Sequence, residues 1–365
     1  MASEIADTMN DAVSVQRYRR ADRDAVFALL RAAYAAADSE RLIRQWDWKY
    51  DANPFNRGAD PYVLLLKDGA ELIGMLGGLP LRVAIGGREH WASHSCDWIV
   101  HPRHRDRGVA RRLVLQHRAD LLLHFSWENE LSHRRSHAFS NTGRARLTPL
   151  AKPLDARYVL QRITSRAVVQ RVGTVLANGG HVFRHLHRPT TIPGVAVGEI
   201  DSFDEPFDTF WQRVSRDLPV AIVRDRAYLS WRFVRRPDAR YTILAATRGA
   251  EVAGYLVLRL AERDGARRGY LVDFLVENRS LPVFSLLVEH AVERLGGDGA
   301  KVVSCRVINA PYRRRLYRHG FWPLLWGPRG YMRVDCLSPD PTTQDFQDPT
   351  RWFVTMGDGD IEMAF

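Results

Sequence analysis

The stretch DWIVHPRHRDRGVARRLVLQ, residues 97–116, decides how the rest of the chain is read. Asp97-Trp98-Ile99-Val100 has strand character and is closed by His101-Pro102. An arginine-rich loop with one glycine follows, and Val109 opens an apolar helical pattern. A strand, a glycine loop and a helix start in that order make an anion site. The backbone N–H groups of Arg107, Gly108, Val109, Ala110 and Arg111 fall where a helix has unpartnered donors. Gly108 lets the main chain approach a bulky phosphate, and small Ala110 keeps a side chain out of its path. Arg103, Arg105, Arg107, Arg111 and Arg112 add the charge that a diphosphate calls for.

Working outward from this loop, the same plan occurs twice. Trp48-Lys49-Tyr50 answers Trp231-Arg232-Phe233, and Pro54 answers Pro237. Gly69-Ala70-Glu71 and Gly74 answer Gly249-Ala250-Glu251 and Gly254. Asp97-Trp98-Ile99-Val100 answers Asp273-Phe274-Leu275-Val276, and Asn141 is matched with Asn309. Order is kept throughout. Each copy opens with an amphipathic helix, expected over Asp24–Ala35 and over Pro206–Val214, with Asp204 as N-cap. A hairpin follows, Tyr62–Leu66 with Leu72–Gly77, then Tyr241–Ala245 with Val252–Leu258. The buried Asp97 or Asp273 strand then leads to a long helix, expected over Val109–Phe125 and Val283–Leu295. A last strand is expected to end at Ser140 or Ile308. The fold class is therefore α/β (α+β), a mixed sheet with helices on both faces, made twice. The expected bounds are 14–163 for the first copy, 164–196 for a linker helix and crossing, 197–337 for the second copy, and 338–365 for a tail clamped by Trp352 and Phe353.

Composition narrows the rest. The 365 residues are 45% hydrophobic and 26% charged, a globular balance. No run approaches the roughly 18 apolar residues of a membrane span, and residues 1–20 lack the apolar core of a secretory signal. A cytoplasmic location is expected. Cys96, Cys305 and Cys336 are far apart and odd in number, and no HExxH occurs, so neither a disulfide framework nor a metal is expected. A net charge of +11 favours anionic partners. Lysine is scarce and no basic stripe is interleaved with aromatics, so nucleic acid is not expected. The basic segment 164–190 reads as a helix docked on its own protein, with peripheral membrane contact as its other reading.

The loop resembles the cofactor loop of the GNAT superfamily of N-acetyltransferases, in which Gln or Arg, two residues, Gly, one residue and Gly or Ala follow one another. Here these are Arg105, Gly108 and Ala110. Asn309-Ala310-Pro311 and Leu316–Phe321 resemble the closing helix and strand of the same fold. WRF, a later proline and the terminal GDGD resemble tandem GNAT proteins, some of them associated with bacterial surface polysaccharide synthesis. The resemblance implies two tandem GNAT-like acyl-CoA N-acyltransferase domains. Acetyl-CoA or another acyl-CoA, as co-substrate, would lie in a gap between two splayed parallel strands. Asp97–Val100 would be one, and the other would end near Ser140-Asn141. Ile99, Val100, Arg105, Asp106, Arg107, Gly108, Val109, Ala110, Arg111 and Asn141 would then bind the cofactor. The second copy's loop, Glu277–Val283, has no glycine, and Pro282 and Glu277 disfavour a diphosphate, so it is expected to bind no CoA.

Implied with this is transfer of an acetyl group to a primary amine, on a small molecule or amino sugar, by direct attack in a ternary complex. An N–H near Ile99 or Val100 would polarise the thioester carbonyl. Asp97 could act as base, or tie down backbone as Asp273 would. Asn141 could bind cofactor or acceptor, or simply close a turn. Tyr317 lies where many GNAT proteins keep an acid for the leaving thiolate. Copy one is read as offering Leu147-Thr148-Pro149 there, and a core role for Tyr317 competes. Trp46, Trp48 and Trp231 read as structural, and Glu128 and Glu130 are weaker base candidates. Two other readings are an acyl-CoA sensor without catalysis and an aminoacyl-tRNA-dependent transferase.

Overall fold

Two hairpins that turn on a left-handed glycine set the frame of a computed structural model describing residues 13–105, 108–137, 143–155, 157–158, 190–263, 265–324 and 330–359. In the first copy, β1 (Val13–Arg17) leads into α1 (Arg23–Ala33) and α2 (Ala36–Trp46). A π-turn over Asp47–Asp51 follows, then β2 (Val63–Asp68), β3 (Glu71–Ile85) and β4 (Arg88–Val100). Next come α3 (Ala110–Asp120), β5 (Leu123–Asn129), α4 (Glu130–His137), β6 (Gly143–Leu147) and β7 (Leu150–Pro153). The second copy runs β8 (Ala196–Ile200), α5 (Glu205–Val214), β9 (Val220–Ile222) and α6 (Arg226–Leu229), then a second π-turn over Ser230–Val234. It continues with β10 (Thr242–Arg248), β11 (Glu251–Arg263), β12 (Ala266–Val276), α7 (Leu281–Gly297) and β13 (Val302–Cys305). It closes with α8 (Ala310–Arg318), β14 (Trp322–Pro323) and β15 (Gly330–Cys336).

The repeat seen in the sequence holds in three dimensions. Gly69 and Gly249, at φ 57° and 59°, close the two hairpins. Gly74 faces Val100 across its ladder as Gly254 faces Val276. A Cβ on either glycine would stand 2.9 Å from a carbonyl, of Ile99 or of Leu275, so both must be glycine. The two π-turns meet at a local dyad. Trp48 and Trp231 stack at 4.9 Å and 18°, and each indole donates to the other's backbone carbonyl, at 2.8 and 3.1 Å.

The copies also exchange strands. The first sheet has the order β1-β2-β3-β4-β5-β15-β6, with β9 on the far end of β3. The second has the order β14-β7-β13-β12-β11-β10-β8. Thus β15, late in the chain, pairs with β5, while β7 crosses to pair with β13. The exchange covers one edge of β5 and one edge of β13, and an open edge is a hazard for any sheet. It also merges the interiors, so one apolar cluster holds Trp48, Phe125 and Trp127 together with Phe210, Trp231 and Phe274.

Some expected elements move. The helix expected over Val109–Phe125 stops at Asp120, and Leu123–Asn129 is strand. The strand pattern is present in the residues, since Leu123, Phe125 and Trp127 alternate with His124, Ser126 and Glu128, and packing then buries both faces of the strand. The strands expected to end at Ser140 and Ile308 end instead at Asn129 and Cys305. Helix α2 is additional to the expected elements, and β3 and β4 extend well beyond the expected runs. The expected linker helix after Thr164 lies outside the described residues.

Truncating either indole opens the joint between the copies. Trp48→Ala or Trp231→Ala is expected to lower unfolding free energy by about 3–5 kcal/mol. Because each removes the other's partner, the double variant should cost about 1 kcal/mol or more less than the sum; denaturant titration of the four proteins measures this.

Candidate functional site

The site begins where two parallel strands part. Strands β4 and β5 pair at Ser93/His124, His94/Phe125 and Ser95/Ser126, and then separate. The cause is on the other side of β4, where its ladder with β3 shifts register between Met75/Ile99 and Gly77/Cys96. Two residues, Asp97 and Trp98, then stand opposite one, Leu76, which is a β-bulge, and a bulge bends its strand. Asp97 takes the left-handed φ of 50° there, a conformation that Asp tolerates better than most residues.

The Asp97 carboxylate is anchored. Lys49 Nζ donates to its Oδ2 at 2.7 Å and Tyr50 Oη at 2.6 Å. The Lys49 side chain is 3% exposed and that of Asp97 is 15% exposed. Burial acts to raise the Asp97 carboxyl, but the Lys49 ammonium and the Tyr50 hydroxyl outweigh it and hold it below the usual carboxylate range. Burial, and then the negative charge of Asp97, push Tyr50 well above the usual phenol value, so it stays protonated. Gly77 makes room for this arrangement, since a Cβ there would lie 2.0 Å from the Tyr50 oxygen. Beside it His94 stacks on Phe125 at 5.0 Å. Burial, then Lys49 and Arg232, push His94 down to about 3, so its ring is neutral at ordinary pH.

At the mouth of the splay lies the loop read as an anion site. Gly108 has φ 73°, and a Cβ placed on it would meet nothing within 4 Å, so backbone conformation is what demands glycine there. Val109 buries its side chain with Leu113, Leu64, Leu66, Ile73 and Leu76, pinning the start of α3 to the sheet. Arg105 donates through Nε to the Val100 carbonyl at 3.2 Å and through Nη2 to that of Ala33 at 3.4 Å, tying the loop down at both sides. The Arg111 N–H turns back to the Gly108 carbonyl at 3.1 Å. Asp106 and Arg107 lie outside the described residues. Ile99 faces the α1 and α2 side with Met75 and Cys96, whereas Val100 packs beside Val109.

The matching loop of the second copy satisfies itself. Ser280 Oγ caps α7 by accepting from the Val283 N–H at 3.4 Å, and Glu277 pairs with Arg248 at 2.9 Å. Its sharp turn is made without glycine, by Asn278 and Arg279 at φ 46° and 53°.

Topology changes one match made from sequence. The residue that corresponds to Asn309, just before α8, is Asn129, just before α4. Asn129 Oδ1 accepts from the Ser132 N–H at 2.8 Å. The signal was present in the sequence: His133-Arg134-Arg135 and Arg313-Arg314-Arg315 stand at the same distance from the two asparagines. By the same count His137, not Leu147-Thr148-Pro149, stands at the place of Tyr317. Asn141 lies outside the described residues. Tyr317 is on the second copy, stacked on Trp322 at 6.0 Å and accepting from Arg313 at 3.0 Å.

On the α3 face of β5 the exchanged strand brings charge that the sequence did not place there. Arg333 lies 3.5 Å from Glu128 and 3.3 Å from Asp335, and Asp335 lies 2.8 Å from His124. Glu128 in turn meets His133 at 3.3 Å. Glu130 accepts from Tyr331 Oη at 3.0 Å. Cys96, Cys305 and Cys336 are free thiols. Among the described residues no group of three His, Cys, Asp or Glu could hold a metal, and no helix is long and apolar enough to cross a membrane.

Comparison with known proteins agrees with this geometry. Residues 14–121 match the family described as acetyltransferase (GNAT) domain. No curated protein matches the chain. Among solved structures, a GCN5-related N-acetyltransferase from Anabaena variabilis aligns with a TM-score of 0.59 at 12% identity, over 89% of this chain and 73% of that one. A probable N-acyltransferase from Enterococcus faecalis aligns with a TM-score of 0.57 at 11% identity, over 89% and 72%. Saccharomyces cerevisiae N-myristoyltransferase with bound myristoyl-CoA aligns with a TM-score of 0.54 at 9% identity, over 90% and 84%. At such identities the likeness is one of fold.

His94 gives the site a pH signature. A histidine whose folded pKa is depressed to about 3 takes up a proton on unfolding once pH falls below its ordinary ~6.5, so its contribution to stability is lost from there downward. Between pH 7 and 5 this amounts to about 2 kcal/mol. His94→Phe, which keeps a ring against Phe125, is expected to remove that share of the acid destabilisation, read by urea titration at the two pH values.

Proposed function

We propose, from the premise that this chain is a tandem protein of the GNAT superfamily, that its first copy is an acyl-CoA-dependent N-acyltransferase. Acetyl-CoA is the proposed donor, and a primary amine on a small molecule or amino sugar, in the cytoplasm, the proposed acceptor. The observation that carries this reading is a pairing of two features in one copy only. The splay beyond Ser95/Ser126 opens beside the left-handed Gly108 loop, and the second copy's loop caps its own helix instead.

Acyl-CoA supplies the activated thioester. The turn at Arg105–Arg111, with Gly108 and Ala110 as its small residues, would hold the diphosphate, and main-chain groups of Ile99 and Val100 would orient the pantetheine arm. An N–H of that strand would polarise the carbonyl that is attacked. Asp97 stands on the same bulge. Held ionised by Lys49 and Tyr50, it fits a carboxylate that orients the incoming amine and passes its proton on through water. Being below the usual range, it is a weak base on its own.

Two measurements test this. In calorimetry, one acetyl-CoA is expected to bind per chain, and Gly108→Glu, which puts bulk, charge and strain into the loop, should weaken binding by about 100-fold or more. Absence of binding, or binding unchanged in Gly108→Glu, would sink the reading. With a panel of amines and amino sugars, release of free thiol should accompany acylation. Lys49→Met, which frees Asp97 from its cation, is expected to lower kcat about 10- to 100-fold with little change in KM for acyl-CoA.

A further inference from the structure

The second copy also has a splay, and something lies in it. Strands β12 and β13 pair from Arg268/Val302 to Leu271/Cys305 and then part, as β4 and β5 do. Into this gap runs the segment Trp352–Gly359. Thr355 forms a main-chain bridge to Val307, beyond the end of β13, while its hydroxyl donates to Asp273 on β12 at 2.6 Å. Asn309, which follows the same splayed segment, clips the incoming stretch from both sides of its amide. Its Nδ2 donates to the Trp352 carbonyl at 3.0 Å, and its Oδ1 accepts from the Val354 N–H at 3.2 Å.

Side chains complete the seat. Phe353 enters among Phe274, Tyr312 and the guanidinium of Arg224, at 5.5, 5.9 and 5.0 Å. Arg224, with no exposed surface, reaches Asp273 at 3.1 Å and Asp358 at 2.6 Å. Arg232 donates to the carbonyls of Gly357 and Gly359 at 3.2 and 3.1 Å. Gly357 passes so close to the floor that a Cβ would lie 3.0 Å from the Asp273 Cβ and from the Phe233 ring, and 3.3 Å from the Val272 carbonyl. These contacts are those of a peptide in a groove, extended over Trp352–Thr355 and closed by a 3-10 turn at Met356–Asp358: main-chain bonds along it, an aromatic anchor in a pocket, and no room for a side chain at the tightest point.

We infer that the splay of the second copy is a peptide-binding groove whose ligand is the chain's own segment Trp352–Gly359. The duplication kept the splay and its aspartate but turned them toward a peptide held in cis. The same segment ends against the first copy, where a Cβ on Gly359 would lie 2.4 Å from the Trp127 ring on β5. Its docking therefore ties the filled splay to the wall of the other one.

The test uses the full chain carrying Gly357→Val, and a synthetic peptide of residues 350–365 with the wild-type sequence. Hydrogen exchange is followed at the amides of Phe353, Val354 and Thr355, which donate to the Val220 carbonyl, Asn309 and Asp358. In the variant their exchange is expected to rise about tenfold or more while the β10–β11 ladder stays protected. The peptide should bind the variant one to one, but not the unaltered chain. The inference is overturned if the three amides stay protected in Gly357→Val, or if their protection falls and the added peptide does not bind. Should Gly357→Val fail to fold, Thr355→Ala, which removes the hydroxyl bonds to Asp273 and Asp358, is read by the same two outcomes. Neither readout involves acyl-CoA.

Discussion

Two indoles that each need the other's carbonyl hold this protein in its shape. Trp48 and Trp231 are both buried, and a buried N–H without an acceptor costs on the order of 1–3 kcal/mol. Each finds its acceptor on the turn that carries the other ring. The stack therefore fixes the two π-turns relative to one another. Lys49 and Tyr50 follow Trp48 on one turn, as Arg232 and Phe233 follow Trp231 on the other. The positions of the cation beside Asp97 and of the cation on the terminal segment are thus set by one contact. The strand exchange works in the same direction, because neither sheet is complete without a strand from the other copy.

Asp97 and Asp273 show how one residue in a duplicated frame comes to two ends. Both lie beside a register shift of the same strand, and both accept from a tyrosine, Tyr50 at 2.6 Å and Tyr255 at 2.7 Å. Asp97 keeps partial contact with solvent and a single lysine. Asp273 is sealed in with Arg224, Thr355 and a second carboxylate, Asp358. Burial raises the Asp358 carboxyl against the opposing pull of Arg224, with Asp273 adding to the rise, so this group resists carrying full charge. Buried ion clusters of this kind contribute little net stability but are costly to break by removing one member. That property suits a seat which must accept one segment and no other. It suits a site for exchanging ligands poorly.

Much of the frame was legible in the chain itself. The glycines at 69, 74, 249 and 254 are demanded by φ or by a facing carbonyl, so they recur wherever the fold recurs. The aspartate strands and the tryptophan turns recur for similar reasons. What escaped was of another kind. Leu123, Phe125 and Trp127 alternate with His124, Ser126 and Glu128, a strand period the sequence does carry, whereas the burial of its polar face by β15 belongs to the packing. Because β5 ends at Asn129, that residue, and not Asn141, holds the position of Asn309. Lys49 and Tyr50 stand 48 and 47 positions before Asp97, and they converge with it and His94 only when α2, its π-turn and β4 pack. Nothing local marks a lysine as the partner of an aspartate 48 residues on.

By itself, then, the sequence determined the local demands: where glycine must sit, where a helix begins in an arginine-rich loop, and that the whole plan is written twice. These follow from φ, from side-chain period and from helix-end chemistry, each a matter of a few neighbouring residues. Only the tertiary structure decided that the second copy's splay receives the segment Trp352–Gly359. It also decided that β15 brings Arg333 and Asp335 to β5, and that β7 leaves for the other sheet. Strand partners and ion pairs far apart in the chain are chosen by edge pairing and desolvation in the assembled core. Neither leaves a periodic trace in the order of residues.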